Sequence, residues 1–144
     1  MKLSDFKSSF LAPIKPPKKE IFEVLHPEGT KYLFQLRVGL SPLKAHKNAH
    51  NFQDTPSAIS HCGNGPEDTP HFLLKCPFFQ IKRTKFLANL ETICNNFLAM
   101  STHDQVHCLL YGFTGLNDTQ NALLLYETIT FICESGRFNR VTNE

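Results

Sequence analysis

The chain has 144 residues, 41% of them hydrophobic and 19% charged, which fits one globular domain with a real core. A net charge of +2 and a pI near 8.3 exclude a strongly basic chain, so any nucleic-acid contact has to come from a local patch. Thirteen Phe and no Trp make Phe the dominant large core residue.

Residues 1–27 read as a flexible arm: Pro13, Pro16 and Pro17 alternate with Lys15, Lys18 and Lys19, and each Pro disfavours helix in the residue before it. Met1 to Ala12 is amphipathic, contains Asp5 and lacks the apolar stretch of a secretory signal. No apolar run approaches the ~20 residues that span a bilayer. Five Cys (Cys62, Cys76, Cys94, Cys108 and Cys133) cannot all pair internally, and the reading is an intracellular protein, nuclear or cytoplasmic, with reduced thiols. Cys94, Cys108 and Cys133 sit in apolar patterns, where a free Cys acts as a small hydrophobe.

A domain is expected over 28–138, with a disordered tail at 139–144. Leu33, Leu36, Leu40 and Leu43 recur at helical spacing, split into two short helices at Gly39. The second is expected to start with Ser41 as N-cap and Pro42 at the first position. Residues 51–69 are rich in turn formers and read as a loop or knuckle. Helix resumes at Thr69-Pro70 and restarts after Pro77, with an apolar stripe of Phe79, Phe86, Leu90, Ile93 and Phe97. A further helix begins near Ser101, paired with Asp104, and stops at Gly112. The last runs from Asn117, with Gln120 three residues on, to Gly136. Strand signals are weak, and the fold class is mainly α: a small multi-helix domain with an irregular knuckle loop at 60–77.

One constellation carries chemistry. Zinc takes Cys thiolates and His nitrogens in a tetrahedron of four. Cys62 sits on a Gly-bearing turn, and His71 and Cys76 flank one short helix that breaks at Pro77. His61 is a candidate fourth ligand, strained by being adjacent to Cys62. Three candidates do not close a site, and on spacing alone the reading without a metal is favoured.

The run KYLFQLRVGLSPLKAHKNAHNFQDTPS, followed by CGNGPEDTPHFLLKCPFF, resembles the region after the polymerase in non-LTR retrotransposon reverse transcriptases. LLYGF and ICESGRF are similar to the final segment of the same proteins. The resemblance covers roughly residues 20–138 and implies the family's zinc knuckle, commonly C-x-C, then His, then x-x-x-x-C. Cys62 matches the second cysteine, His71 the histidine and Cys76 the last cysteine, while the first cysteine position holds Ser60. The family's polymerase and endonuclease activities do not carry over. No Asp-Asp pair is present to hold two metal ions, and only the family's tail is matched, which implies a product of a truncated or decayed element.

Other catalytic readings are weak. No nucleophile motif surrounds any Cys, and Cys62-Gly63-Asn64-Gly65 lacks the Lys-Ser/Thr of a phosphate loop. A basic face of Arg37, Lys44, Lys47, Lys75, Lys82, Arg83 and Lys85 would contact RNA or DNA through phosphates. The expectation is therefore a non-catalytic nucleic-acid-binding accessory module, with no small-molecule substrate and no membrane association. The alternatives are an inert helical remnant, marked by mixed surface charge, and a protein-interaction domain with an apolar groove near Phe52 and Phe113.

Overall fold

The computed structural model describes residues 26–139. Of the arm expected over 1–27, only His26 and Pro27 are described, and most of the tail expected over 139–144 lies outside the described residues.

Those residues are mainly helical, with no β-strand among them. Helix α1 spans Pro27–Val38, α2 Lys44–Ala49, α3 Gln80–Ile93, α4 Thr102–Tyr111 and α5 Asp118–Ser135. Between α2 and α3 come the knuckle, a π-helical turn at His71–Lys75 and a 3-10 turn at Pro77–Phe79. A second 3-10 turn, Phe97–Ala99, joins α3 to α4.

The local stop and start signals act as expected. Gly39 and Gly136 end α1 and α5 in the left-handed conformation that a side chain disfavours. The Ser101 hydroxyl accepts the Asp104 N–H to open α4. Asn117 and Gln120 form a reciprocal capping box at α5.

Helix α5 is the spine. It packs against α1, α3 and α4, and its Leu124, Leu125, Ile129, Phe131 and Ile132 are buried. Gly29 lets α1 approach closely: a Cβ there would lie 2.6 Å from Cys133 Sγ and 2.7 Å from Ile129 Cγ2. Asn121 fastens the α4–α5 connection, accepting the Phe113 N–H at 2.7 Å and donating to the Phe113 and Leu116 carbonyls.

An aromatic cluster joins this bundle to the knuckle. Phe72, fully buried on the π turn, lies 5.2–5.4 Å from the rings of Phe79, Phe131 and Phe138. Phe86 stacks on Phe131 at 4.7 Å. The knuckle is thus anchored to the core through the residue that follows His71. All five cysteines are free thiols, and Cys94 and Cys108 are buried as apolar residues. Among the described residues, no helix is long and apolar enough to cross a membrane.

Three local expectations give way. Helix α2 starts at Lys44 rather than at Pro42, and the Ser41 hydroxyl instead accepts the Leu43 N–H and donates to His46 Nδ1 at 2.8 Å. Leu40, expected on the α1–α2 stripe, is 57% exposed because Gly39 has already turned the chain. Phe97 is buried, but it reaches the core from the 3-10 turn after α3 has ended at Ile93.

Candidate metal centre

The knuckle is built by a short backbone loop. Ile59 and Pro66 pair as an antiparallel bridge, with Glu67 N–H donating to the Ala58 carbonyl and Ser60 N–H to the Gly65 carbonyl. Gly63 and Gly65 take positive φ angles of 79° and 121°, which lets the intervening chain fold back. This reversal turns the Cys62 sulfur toward the following segment.

That segment holds the other donors. The Asp68 carboxylate accepts the His71 N–H at 2.9 Å and so caps the turn. The Cys76 N–H then donates to the His71 carbonyl at 2.7 Å, an i→i+5 bond. In an α-helix, residues four apart share a face; the wider π turn brings residues five apart into line. His71 and Cys76 therefore sit one above the other, which ordinary helix geometry would prevent.

The result is that Cys62 Sγ, His71 Nε2 and Cys76 Sγ all lie within 4.8 Å of one another. Cys62 Sγ lies 3.3 Å from His71 Nε2. Cys76 and His71 are buried and Cys62 is half-buried. Cys62 Sγ also accepts the Asn64 N–H at 3.4 Å. The thiol of Cys62 is held below its ordinary value, chiefly by the Ser60 hydroxyl and also by that N–H. The three side chains can hold a metal ion. His61 does not join them: it is exposed and outside the donor group.

Ser60 lies at the same place. Its hydroxyl is 3.8 Å from Cys76 Sγ and accepts the Cys62 N–H at 3.3 Å, and the residue is 5% exposed.

Two buried charges frame the centre. Arg83 is 1% exposed, and its guanidinium donates to the carbonyls of Leu73, Phe72 and Cys76 at 2.7–2.9 Å. These carbonyls belong to the π turn and its end, where the α-helical pattern fails to use them. Arg83 thereby fixes the peptide of a candidate ligand and brings positive charge near its thiol. Burial lowers the Arg83 guanidinium, with the nearby Cys76 acting the other way. On the opposite side, Glu67 takes the Lys44 N–H at 2.8 Å and a two-pronged pair from Arg137 at 2.6 and 2.7 Å. Glu67 thus caps α2 from outside it, and ties the end of α5 to the knuckle.

The seven expected nucleic-acid contacts do not all stand at the surface. Arg83 is inside and unavailable to a phosphate. Arg37 is half-buried between the rings of Phe34 and Tyr111 and donates to the Leu110 carbonyl at 2.6 Å. Lys47 pairs with Asp54 at 2.9 Å and Lys85 lies 3.7 Å from Glu134. Lys44 is half-buried beside Glu67. Lys75, at the end of the π turn, and Lys82 and Lys85, on α3, are exposed, and the exposed Phe78 (64%) and Ile81 (86%) lie between Lys75 and Lys85 in sequence. Of the two residues expected at a groove, Phe52 is exposed under the Lys47 ammonium, and Phe113 packs against the core.

No protein-family model, curated protein or solved structure matches this chain.

Proposed function

We propose that this chain is a zinc-organised knuckle domain that acts as a non-catalytic nucleic-acid-binding module. The convergence of Cys62 Sγ, His71 Nε2 and Cys76 Sγ carries the reading. Two thiolates and an imidazole form the soft donor set that suits zinc, while harder ions prefer oxygen ligands. The Asn64 N–H on the Cys62 sulfur and the Arg83 guanidinium on the Cys76 carbonyl hold these ligands from behind, as metal ligands usually are held. Bound zinc would supply cross-linking energy between the loop and the π turn.

Nucleic acid is the partner supported by the resemblance to reverse-transcriptase tails and by the surface beside the centre. Lys75, Lys82 and Lys85 offer phosphate contacts, and the exposed Phe78 offers a face on which a base can stack. Fluorescence anisotropy with labelled single-stranded RNA, measured across salt concentrations, tests this. The triple variant Lys75→Ala, Lys82→Ala, Lys85→Ala should bind more weakly. Its log-log salt slope should fall by about 0.7 per lost contact. Absence of binding at low salt, or a slope that the triple variant leaves unchanged, would contradict the nucleic-acid role.

A further inference from the structure

We infer that Ser60 is the fourth ligand of the centre, adding a hydroxyl oxygen to two thiolates and an imidazole; the inference rests on the metal-centre reading above. Three observations point to it. The first is distance. In a tetrahedral site with metal–sulfur bonds of about 2.3 Å and metal–nitrogen or metal–oxygen bonds of about 2.0–2.1 Å, neighbouring ligand atoms lie about 3.5–3.8 Å apart. Ser60 Oγ stands 3.8 Å from Cys76 Sγ, and Cys62 Sγ stands 3.3 Å from His71 Nε2. The first distance is within the tetrahedral range, and the second is about 0.2 Å short of it, so a bound ion would spread that pair slightly.

The second observation is how the backbone treats residue 60. The Cys62 N–H donates to Ser60 Oγ as the Asn64 N–H donates to Cys62 Sγ. The loop thus holds residues 60 and 62 by the same i+2 amide bond, and each has its polar side-chain atom within 4.8 Å of Cys76 Sγ. Ligand atoms held this way from behind are a common feature of metal sites.

The third is elimination among the described residues. His61 is exposed and lies outside the donor group. Asp68 and Glu67 also lie outside the donor group, and Glu67 is paired with Arg137 and the Lys44 N–H. Ser60, 5% exposed, has its polar atom at the cluster.

A hydroxyl is a poorer zinc donor than a thiolate, so this centre should hold its ion less tightly than a three-thiolate set and exchange it more readily. The test is Co(II) titration of the full chain under reductant, followed by visible and near-ultraviolet absorption. Tetrahedral Co(II) absorbs strongly in the visible, and the near-ultraviolet band grows with each thiolate.

Wild type should show a tetrahedral spectrum with two-thiolate intensity. Ser60→Cys should raise the near-ultraviolet band by about half, three thiolates replacing two. It should also tighten binding by about tenfold or more, the range seen when even a residue behind a ligand changes. Ser60→Ala should weaken binding by a comparable factor and lose visible intensity, while His61→Ala should match wild type. Circular dichroism checks that each variant folds.

An unchanged spectrum and affinity in Ser60→Ala would overturn the inference, as would loss of binding in His61→Ala. Binding by Ser60→Cys but not by wild type would also overturn it, leaving the three-donor geometry intact. Absence of binding in both would overturn the metal-centre reading itself.

Discussion

Glu67 and Arg137 lie 70 residues apart in sequence and meet in a two-pronged ion pair, with Arg137 Nε 2.6 Å from Glu67 Oε2 and Nη2 2.7 Å from Oε1. The pair closes the domain: one end is the exit of α5, the other the residue that follows the Ile59–Pro66 bridge. Glu67 also caps α2 through the Lys44 N–H, and Arg137 donates to the Pro42 carbonyl.

This pair should make stability depend on pH. Burial acts to raise the Glu67 carboxyl, but the Arg137 hydrogen bonds and the Lys44 N–H outweigh it, and the group sits below its ordinary value. Its contribution is fully present above the unfolded carboxyl value near 4.3, and is lost as pH falls through the lower folded value. Glu67→Gln should cost about 2 kcal/mol at neutral pH, somewhat under the loss for a fully buried pair because the Arg137 side chain is 22% exposed. Denaturant unfolding at several pH values should show the gap between wild type and variant narrowing as the solution is acidified below about pH 4. A gap independent of pH would count against the ionic account.

Arg83 serves the π turn and not a ligand on the surface. Arg83→Met keeps an apolar stem but leaves the Leu73, Phe72 and Cys76 carbonyls without their donor. A loss of about 3 kcal/mol is expected from such buried charged hydrogen bonds. Thermal unfolding measures it, and a variant as stable as wild type would refute this role.

Gly29 is required by the α1–α5 approach. In Gly29→Ala the added methyl would meet Cys133 Sγ at 2.6 Å and Ile129 Cγ2 at 2.7 Å, so the helices must separate. The expected cost is about 1–3 kcal/mol, the usual range for overpacking. Gly29→Ala combined with Cys133→Ala should recover part of it, and absence of any recovery would mean that Ile129, whose Cγ2 lies at 2.7 Å, sets the limit.

Thiol reactivity should separate Cys62 from Cys94, Cys108 and Cys133. Cys62 is half-buried, with its thiol held down by the Ser60 hydroxyl and the Asn64 N–H. Burial pushes Cys94 and Cys133 up, and Cys108 up to about 12. The thiolate is the reactive form, so iodoacetamide should modify Cys62 before Cys94, Cys108 or Cys133 in metal-free protein near neutral pH. Peptide mapping by mass spectrometry gives the order. Zinc should slow modification of Cys62 and leave the order of the other three unchanged.

The parts of the fold legible in the sequence are those decided within a few residues. Gly39, Ser101, Asn117 with Gln120, and Gly136 act on their own helix ends, so spacing alone placed them. The start of α2 was not legible, because its cap is the Glu67 carboxylate, which arrives from 23 residues away and frees Ser41 for His46.

The site divides in the same way. The donor types at Cys62, His71 and Cys76 could be read, but not their convergence, which needs the i→i+5 turn that no local propensity announces. Arg83 was misread as surface, although a signal was present: Phe79, Arg83, Phe86 and Leu90 share one helical stripe, and its other members pack inward. A charge on an apolar stripe reaches carbonyls of another segment only in three dimensions, and the carbonyls it satisfies exist because the π turn leaves them open.

Metal content of protein purified without chelator tests the central claim most directly, measured on the native chain and on Cys76→Ser. One zinc per chain, lost in the variant and accompanied by a lower unfolding temperature, is the expected result. A folded native chain that carries no zinc, and takes up none when it is supplied, would mean that Cys62, His71 and Cys76 converge for packing alone.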